Sequence, residues 1–147
     1  MILFGMEFKK DESAGYLANH MARLFAIALH EKIRPLGLAP AQFMTLLELW
    51  NGDGLTQKEL VQRLDVEQAT MANTLKRMER DGLIARQENP DDRRARVIRL
   101  TQKARDLRDD ATAAAMAVNK KALAGFSADE RKAFVAMMSR AIGALGD

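Results

Sequence analysis

The chain has 147 residues, which suits one domain or a small domain with helical extensions. Hydrophobic residues make up 48% and charged residues 29%, a composition that excludes the disordered and membrane-embedded classes. No run of about 18 apolar residues could span a bilayer, and the opening residues turn acidic too early for a secretory signal, so we expect a cytoplasmic protein. The lack of cysteine excludes disulfides, thiolate zinc sites and thiol-based redox sensing.

The net charge of +3 is unevenly distributed along the chain. Between residues 76 and 108 there are eleven Lys or Arg against six acids, a local excess of five, so the remainder is slightly acidic. A basic patch on a nearly neutral protein is typical of polyanion binding. The simpler alternative is a solvated charged face.

The first part of the chain predicts two helices. Apolar residues recur at helical spacing over 16–33, and Pro35 ends this first helix. A second helix is predicted to begin at about Pro40, a residue suited to the first helical position. The turn-forming residues of 51–54 end it.

Two short helices joined by a tight turn follow, which is a helix-turn-helix pattern. Thr56 and Glu59 match a capping box and begin a helix that ends near Leu64. The next helix is predicted over about 67–80, ended by Asp81-Gly82. Its inner face is assigned to Ala69, Ala72, Leu75 and Met78.

The outer face of helix 67–80 carries side chains able to read bases in a major groove. Asn and Gln can pair with adenine, Thr can contact a thymine methyl, and Lys or Arg can reach guanine or phosphate. A polar outer face is also ordinary for a surface helix, so this signal is weak by itself. The candidate contacts are Gln68, Thr70, Asn73, Thr74, Lys76 and Arg77, with Met71 assigned to the same face.

Residues 83–100 predict a β-hairpin, or wing, with strands at 83–87 and 94–100 around a polar loop at 88–93. Asp92 lies two residues before Arg94, so in an extended hairpin the carboxylate could hold the guanidinium ready for a minor groove. The alternative is a surface ion pair of little energetic consequence. Ile98 and Leu100 are expected to anchor the hairpin in the core, and the candidate wing contacts are Asp92, Arg93, Arg94 and Arg96.

Two more helices are predicted after the wing. Thr101 caps a long helix that runs to roughly Lys121, and the capping box at 127–130 opens the last one. The apolar stripes of the terminal helices are broader than a small three-helix core with a wing can cover, so we expect a homodimer. Alternatively, the termini fold back onto their own wing domain in a monomer.

This order of elements resembles the MarR/SlyA family of bacterial winged helix-turn-helix regulators over nearly the whole chain. The residues that carry the resemblance are the Leu-Thr-Gln-Lys-Glu-Leu at 55–60, the Asp-Gly-Leu-Ile at 81–84, and Asp92-Arg93-Arg94 followed by Val-Ile-Arg-Leu-Thr at 97–101. The D-x-R wing with a downstream Leu-Thr is the most specific of these marks. The family's cysteine-dependent peroxide sensing is excluded here.

The resemblance implies a mainly α fold with a small β-wing. A winged helix-turn-helix part at about 39–100 would lie between dimerisation helices at about 13–35 and 101–147. It also implies a sequence-specific transcriptional regulator, most often a repressor, that binds a palindromic DNA duplex as a homodimer. Recognition helix 67–80 would enter the major groove and wing 83–100 the minor groove.

Many members of the family respond to a small aromatic or phenolic acid bound between the dimer helices and the wing domain. The residues that could line such a cleft here are His20, Arg23, His30, Phe43 and Trp50. Helical spacing alone equally predicts core positions for Phe43 and Trp50, and packing or surface positions for the histidines.

The sequence offers no arrangement typical of an enzyme. Two histidines ten residues apart in one helix are separated by about 15 Å along its axis, there is no cysteine, and no glycine-rich phosphate loop occurs, so we expect no catalysis, cofactor or metal. The alternative from another class is a winged-helix protein-interaction module without sequence-specific DNA binding. Such a module would not need the arginines 93, 94, 96 and 99 beside Lys76 and Arg77.

Overall fold

The computed structural model describes residues 7–89 and 91–146, except for the side chains of Arg93 and Ala95. Short 3-10 turns occur at Lys10–Glu12 and Arg34–Leu36. The fold is mainly α with a small β-sheet, as predicted. The helices and strands, in chain order, are α1 Ala14–Ile33, α2 Pro40–Asn51, β1 Leu55–Thr56, α3 Gln57–Leu64, α4 Gln68–Arg80, β2 Ile84–Asn89, β3 Asp92–Leu100, α5 Gln102–Ala122 and α6 Ala128–Leu145.

Side-chain caps fix where several helices begin. The Thr56 hydroxyl accepts from the Glu59 amide at 3.1 Å, and the Glu59 carboxylate accepts from the Thr56 amide at 3.2 Å. The same reciprocal pair joins Ser127 and Glu130 at the start of α6. Thr101 caps α5 through the Ala104 amide. Each of these contacts satisfies backbone donors that the first helical turn leaves without partners, and all three predicted caps are confirmed.

The sheet has three antiparallel strands in the order β1-β3-β2, so β3 is its central strand. Leu55 of β1 pairs with Ile98, and Arg86 of β2 pairs with Ile98 from the other side. The hairpin is longer than predicted, because β2 extends to Asn89 and β3 begins at Asp92, with a register shift at 88–89. Backbone hydrogen bonds between strands form whatever the polarity of the side chains. The polar residues near the hairpin tip therefore gave no indication that the two strands continue there.

One hydrophobic core lies between the helices and the inner face of the sheet. Ile98 and Leu100 of β3 are buried in the same cluster as the inner face of α4, as predicted for the wing anchor. That inner face is formed by Met71, Leu75 and Met78, each at most 2% exposed. Placing Met71 on the outer face and Ala69 on the inner face was therefore wrong. The spacing of 71, 75 and 78 sets the buried stripe, which leaves Ala69 exposed.

The terminal helices are packed unequally. α1 packs along α5, whereas α6 has no buried residue. Its exposed apolar side chains include Val135 at 54%, Ile142 at 63% and Leu145 at 87% exposure. None of the helices in the described ranges is long and apolar enough to cross a membrane.

A polar link joins the start of α2 to the end of α4. The buried Gln42 accepts from the Ala39 amide at 3.1 Å and donates to an Asp81 carboxylate oxygen at 3.0 Å. Asp81 also accepts from the Arg80 guanidinium at 3.1 Å. The Arg80 guanidinium first, and then the Gln42 amide, hold the pKa of the Asp81 carboxyl below its usual value of 3.8.

The variant Asp81→Asn keeps a side-chain oxygen for Gln42 but removes the charge. Because the pKa is lowered in the folded state, the carboxylate stabilises the fold above pH 3.8, and this contribution disappears as the pH falls through the lower folded value. We expect the parent to exceed the variant by up to about 1 kcal/mol in free energy of unfolding at neutral pH, and the two to converge in acid. Urea titrations across pH measure this difference.

The control for this comparison is Asp110→Asn, which removes the charge of an exposed carboxylate on α5. A parent-minus-variant difference for Asp81 that stays constant from neutral pH to about pH 2 would contradict the charged link.

Candidate nucleic-acid interface

The exposed face of α4 carries most of the predicted base-reading side chains. Gln68, Thr70, Asn73, Lys76 and Arg77 are all exposed. Thr74 is half-buried, and its hydroxyl donates to the Thr70 carbonyl at 3.0 Å, which directs its proton back into the helix. The surface of α4 that faces away from the core includes Asn73, Lys76 and Arg77, while Thr74 lies at its edge.

Two residues of this surface were missed by the sequence interpretation. Ala69 and Arg80 are exposed on the side of α4 opposite the buried Met71 and Leu75. The small side chain of Ala69 allows a binding partner to approach the backbone of α4 closely. Arg80 adds a positive charge one turn beyond Lys76. The signal that could have found both is the Met71, Leu75 and Met78 spacing, which fixes the outward direction.

The beginning of α4 has no side-chain cap. Glu67 occupies the capping position in an extended conformation and makes no capping hydrogen bond. The first amides of α4 are therefore without a side-chain acceptor at the capping residue, and the positive end of the helix dipole lies there. The exposed Glu67 carboxylate supplies a negative charge at this end of the helix and would repel a nearby backbone phosphate.

Asp92 shapes the tip of the wing through the backbone. Its carboxylate accepts from the Arg94 amide at 3.0 Å, and Asn89 accepts from the Asp91 amide at 3.0 Å. Among the described residues, no ion pair joins the Asp92 and Arg94 side chains. The expectation that the carboxylate holds the guanidinium was wrong, because a short Asp side chain reaches the amide two residues ahead more easily. The Arg94 side chain remains exposed.

Two more arginines of β3 lie at the surface, next to residues that anchor the strand in the core. Arg96 and Arg99 are exposed, while Val97 and Ile98 are buried at 8% and 1% exposure. The side chain of Arg93, also predicted as a DNA contact, lies outside the described residues. Arg86 of β2 forms an ion pair with Glu79 of α4 at 3.8 Å, which links the wing to the recognition helix directly.

The five residues predicted to line a ligand cleft do not share one cavity. His20 and Arg23 are exposed along α1, and His30 lines a polar pocket near the C-terminal end of α4. Phe43 is buried and meets Trp50 edge to face, with ring centroids 6.0 Å apart. The Trp50 indole donates to the Ala104 carbonyl of α5 at 3.0 Å, so its polar atom is used in packing.

An apolar cavity of about 460 Å³ lies between α1, α2 and α5. Phe43 is the one predicted cleft residue that contributes to it. The other aromatic and large aliphatic side chains of its wall are Phe25, Leu29, Met44, Leu47 and Val118. In the part of the chain that the structure describes, no cluster of three or more His, Asp or Glu side chains could hold a metal ion.

A helix-turn-helix with a polar recognition helix, followed by a basic wing, defines a winged-helix protein. Residues 38–95 match the model of the MarR family. The HTH-type transcriptional regulator YwoH of Bacillus subtilis is 31% identical over 116 residues, which are 79% of this chain and 84% of YwoH. The chain belongs to the MarR family of transcriptional regulators.

Two solved structures share the fold. A MarR family transcriptional regulator from Listeria monocytogenes complexed with 26mer DNA matches with a TM-score of 0.86 and 22% identity, over 92% of this chain and 91% of that one. CouR from Rhodococcus jostii RHA1 bound to p-coumaroyl-CoA matches with a TM-score of 0.81 and 21% identity, over 95% and 96%. YwoH and YdgJ of Bacillus subtilis are both HTH-type transcriptional regulators.

The variant Trp50→Phe tests whether Trp50 is a packing residue. It removes the indole donor to a carbonyl of the buried Ala104 and part of the ring volume, so we expect a loss of about 1 to 3 kcal/mol in free energy of unfolding. Urea unfolding followed by circular dichroism measures the loss. The variant Tyr16→Phe, at an exposed ring on α1, is the control and should change little. An equally small change for Trp50→Phe would contradict the packing role.

Proposed function

We propose that this MarR family member is a sequence-specific DNA-binding transcriptional regulator in the cytoplasm. It acts as a repressor, a homodimer on a palindromic operator, with α4 in a major groove and the wing in the adjacent minor groove. The observation that carries this proposal is the exposed polar face of α4 beside exposed wing arginines on one core. The DNA complex of the Listeria relative supports it.

The recognition helix has the dimensions and chemistry for base reading. An α-helix with side chains is about 10 to 12 Å across, and the major groove of B-DNA is about 12 Å wide. Asn73 lies near the middle of the exposed face, between Ala69 and Lys76. We assign Asn73 to a base edge, because its amide can donate to and accept from one adenine. Lys76 and Arg77 supply charge toward phosphate or guanine.

The wing supplies cations of the kind that a narrow minor groove attracts. Arg94 and Arg96 are exposed on β3, and the Asp92 contact fixes the backbone at Arg94. Fixing the backbone reduces the conformational freedom that Arg94 loses on binding, while its guanidinium remains available. Arg94 is therefore our principal minor-groove contact.

The homodimer is proposed from apolar surface that the single chain leaves uncovered. Leu24 and Ile27 of α1 are 55% and 59% exposed, and α6 has no buried residue. An open apolar cavity of about 460 Å³ between α1, α5 and α6 includes Leu24 and Phe134 in its wall. A second copy of this surface would bury these side chains, and its two-fold symmetry would match a palindrome.

We further propose that a small aromatic or phenolic ligand releases the operator. The cavity between α1, α2 and α5 has the size of an ordinary ligand pocket, and its Phe25 and Phe43 can pack against a ring. Its walls come from α2 of the DNA-binding part and from two of the proposed dimerisation helices. A ligand there can change the separation of the two recognition helices. The p-coumaroyl-CoA complex of CouR supports a ligand of this class.

Selection of bound sequences from a random duplex pool tests the function. We expect enrichment of one palindrome, with binding that weakens steeply as salt rises, because neutralised phosphates release counterions. No enriched sequence, together with salt-insensitive association with a protein, would instead support the interaction-module alternative.

Replacing Arg94 by Ala tests the wing. We expect at least about tenfold weaker binding to the selected duplex, or about 1.4 kcal/mol, with Asp92→Ala giving a smaller loss through the backbone. Gel-shift titration measures both, and size-exclusion chromatography checks that the oligomeric state is unchanged. The control Lys132→Ala removes one exposed positive charge from α6. Parental affinity in the Arg94 and Asp92 variants would contradict the wing assignment.

Replacing Asn73 by Ala tests the recognition helix. We expect the preference at one base position to relax by about 1 to 3 kcal/mol, since a bidentate base contact is lost. Repeating the duplex selection with the variant measures this preference. A uniform loss over all sequences would show that Asn73 contacts phosphate and not a base.

A further inference from the structure

One carboxylate outside the predicted DNA contacts joins three separate elements. An Asp53 oxygen accepts from the Leu100 amide at 3.0 Å and from the Gly54 amide at 2.8 Å. Its other oxygen accepts from the Arg105 guanidinium at 3.3 Å. Asp53 itself lies in the turn between α2 and β1, Leu100 ends β3, and Arg105 lies in the first turns of α5.

The bond to Leu100 continues a ladder that β1 is too short to complete. β1 is two residues long and pairs with Val97 and Ile98 only. The Gly54 amide donates to the Ile98 carbonyl at 3.1 Å. The next amide of β3 that points toward β1 is that of Leu100, because backbone groups alternate in direction along a strand. The Asp53 side chain supplies the acceptor that a longer strand would have supplied from its backbone. Without it, this part-buried amide loses its partner on the β1 side.

The same turn also determines where Arg99 lies. Gly54 has a φ of +82°, and a Cβ added there would lie 2.8 Å from a guanidinium nitrogen of Arg99. The Arg99 side chain therefore lies against the backbone of the turn that Asp53 organises. The turn therefore contacts β3 where the strand leads to α5, at the end opposite the wing tip.

We propose that Asp53 is a positioning residue that fixes the angle between the wing and α5. One Asp53 oxygen holds the Leu100 end of β3 from the β1 side, and the other oxygen holds the start of α5. The consequence for DNA affinity rests on the proposed function, whereas the geometric role does not. The Asp53 carboxylate makes no DNA contact in this role and acts through the position of the wing arginines.

A distance measurement within the chain tests the geometric role without DNA. The chain has no cysteine, so cysteines introduced at the exposed positions Gln87 of β2 and Asp109 of α5 can carry two spin labels. Dilution with unlabelled chain restricts the signal to distances within one chain. The parent should give one narrow distance distribution. Asp53→Ala should broaden it, and Asp53→Asn should restore it largely, because an amide oxygen can still accept from Leu100.

Two further variants make this measurement decisive. Arg105→Ala removes only the α5 side of the link and should broaden the distribution less. Glu48→Gln, which breaks the comparably exposed ion pair with Arg63 between α2 and α3, is the matched control and should leave it unchanged. A parental distribution in Asp53→Ala overturns the inference. If Asp53→Ala does not fold, a parental distribution in Arg105→Ala overturns it.

Binding to the selected duplex tests the consequence. Asp53→Ala should weaken binding about tenfold in the parent background and less than about twofold in an Arg94→Ala background. The second loss is smaller because a wing without Arg94 has no such contact to misplace. Equal losses in both backgrounds overturn action through the wing. Failure of the parent to bind any duplex contradicts the proposed function, and the distance measurement then decides the role of Asp53.

Discussion

The central position of β3 in the sheet is the constraint on which the rest of the structure depends. Paired on both sides and buried at Ile98 and Leu100, this strand shares one core with Met71, Leu75 and Met78 of α4. The recognition helix and the wing cannot move independently without opening that core, because packed interiors tolerate little relative displacement. Two surfaces of different secondary structure, both proposed to contact DNA, are thereby held as a single rigid unit.

Polar contacts at the edge of this core fix the orientation of the elements that the core only brings together. Gln42 ties the start of α2 to the end of α4, the Trp50 indole ties α2 to α5, and Asp53 ties α2, β3 and α5. All three start in or just after α2. This helix is therefore the common reference for the recognition helix, the wing and the long helix that follows, whereas apolar packing alone is non-directional.

Features set by neighbouring residues were predicted correctly from the sequence. Features that depend on contacts between distant residues were missed. Threonine and serine caps at 56, 101 and 127 fixed the helix starts, and the Leu100-Thr101 junction fixed the end of the wing. β1 was missed because two residues carry no periodicity, and Ala69 was misplaced because alanine fits either face of a helix. The Asp53 bond to Leu100 spans 47 positions, so no local pattern could have indicated it. The proposed DNA contacts remain predictions.

The bond between Trp50 and Ala104 has a consequence for observing this protein. Trp50 is the sole tryptophan of the chain, and its indole links α2 to the long helix α5. Indole emission depends on the hydrogen bond and on the exposure of the ring to water. Any movement of α5 against α2 would therefore change the intrinsic fluorescence of the native chain, so the junction between these two parts carries its own optical probe.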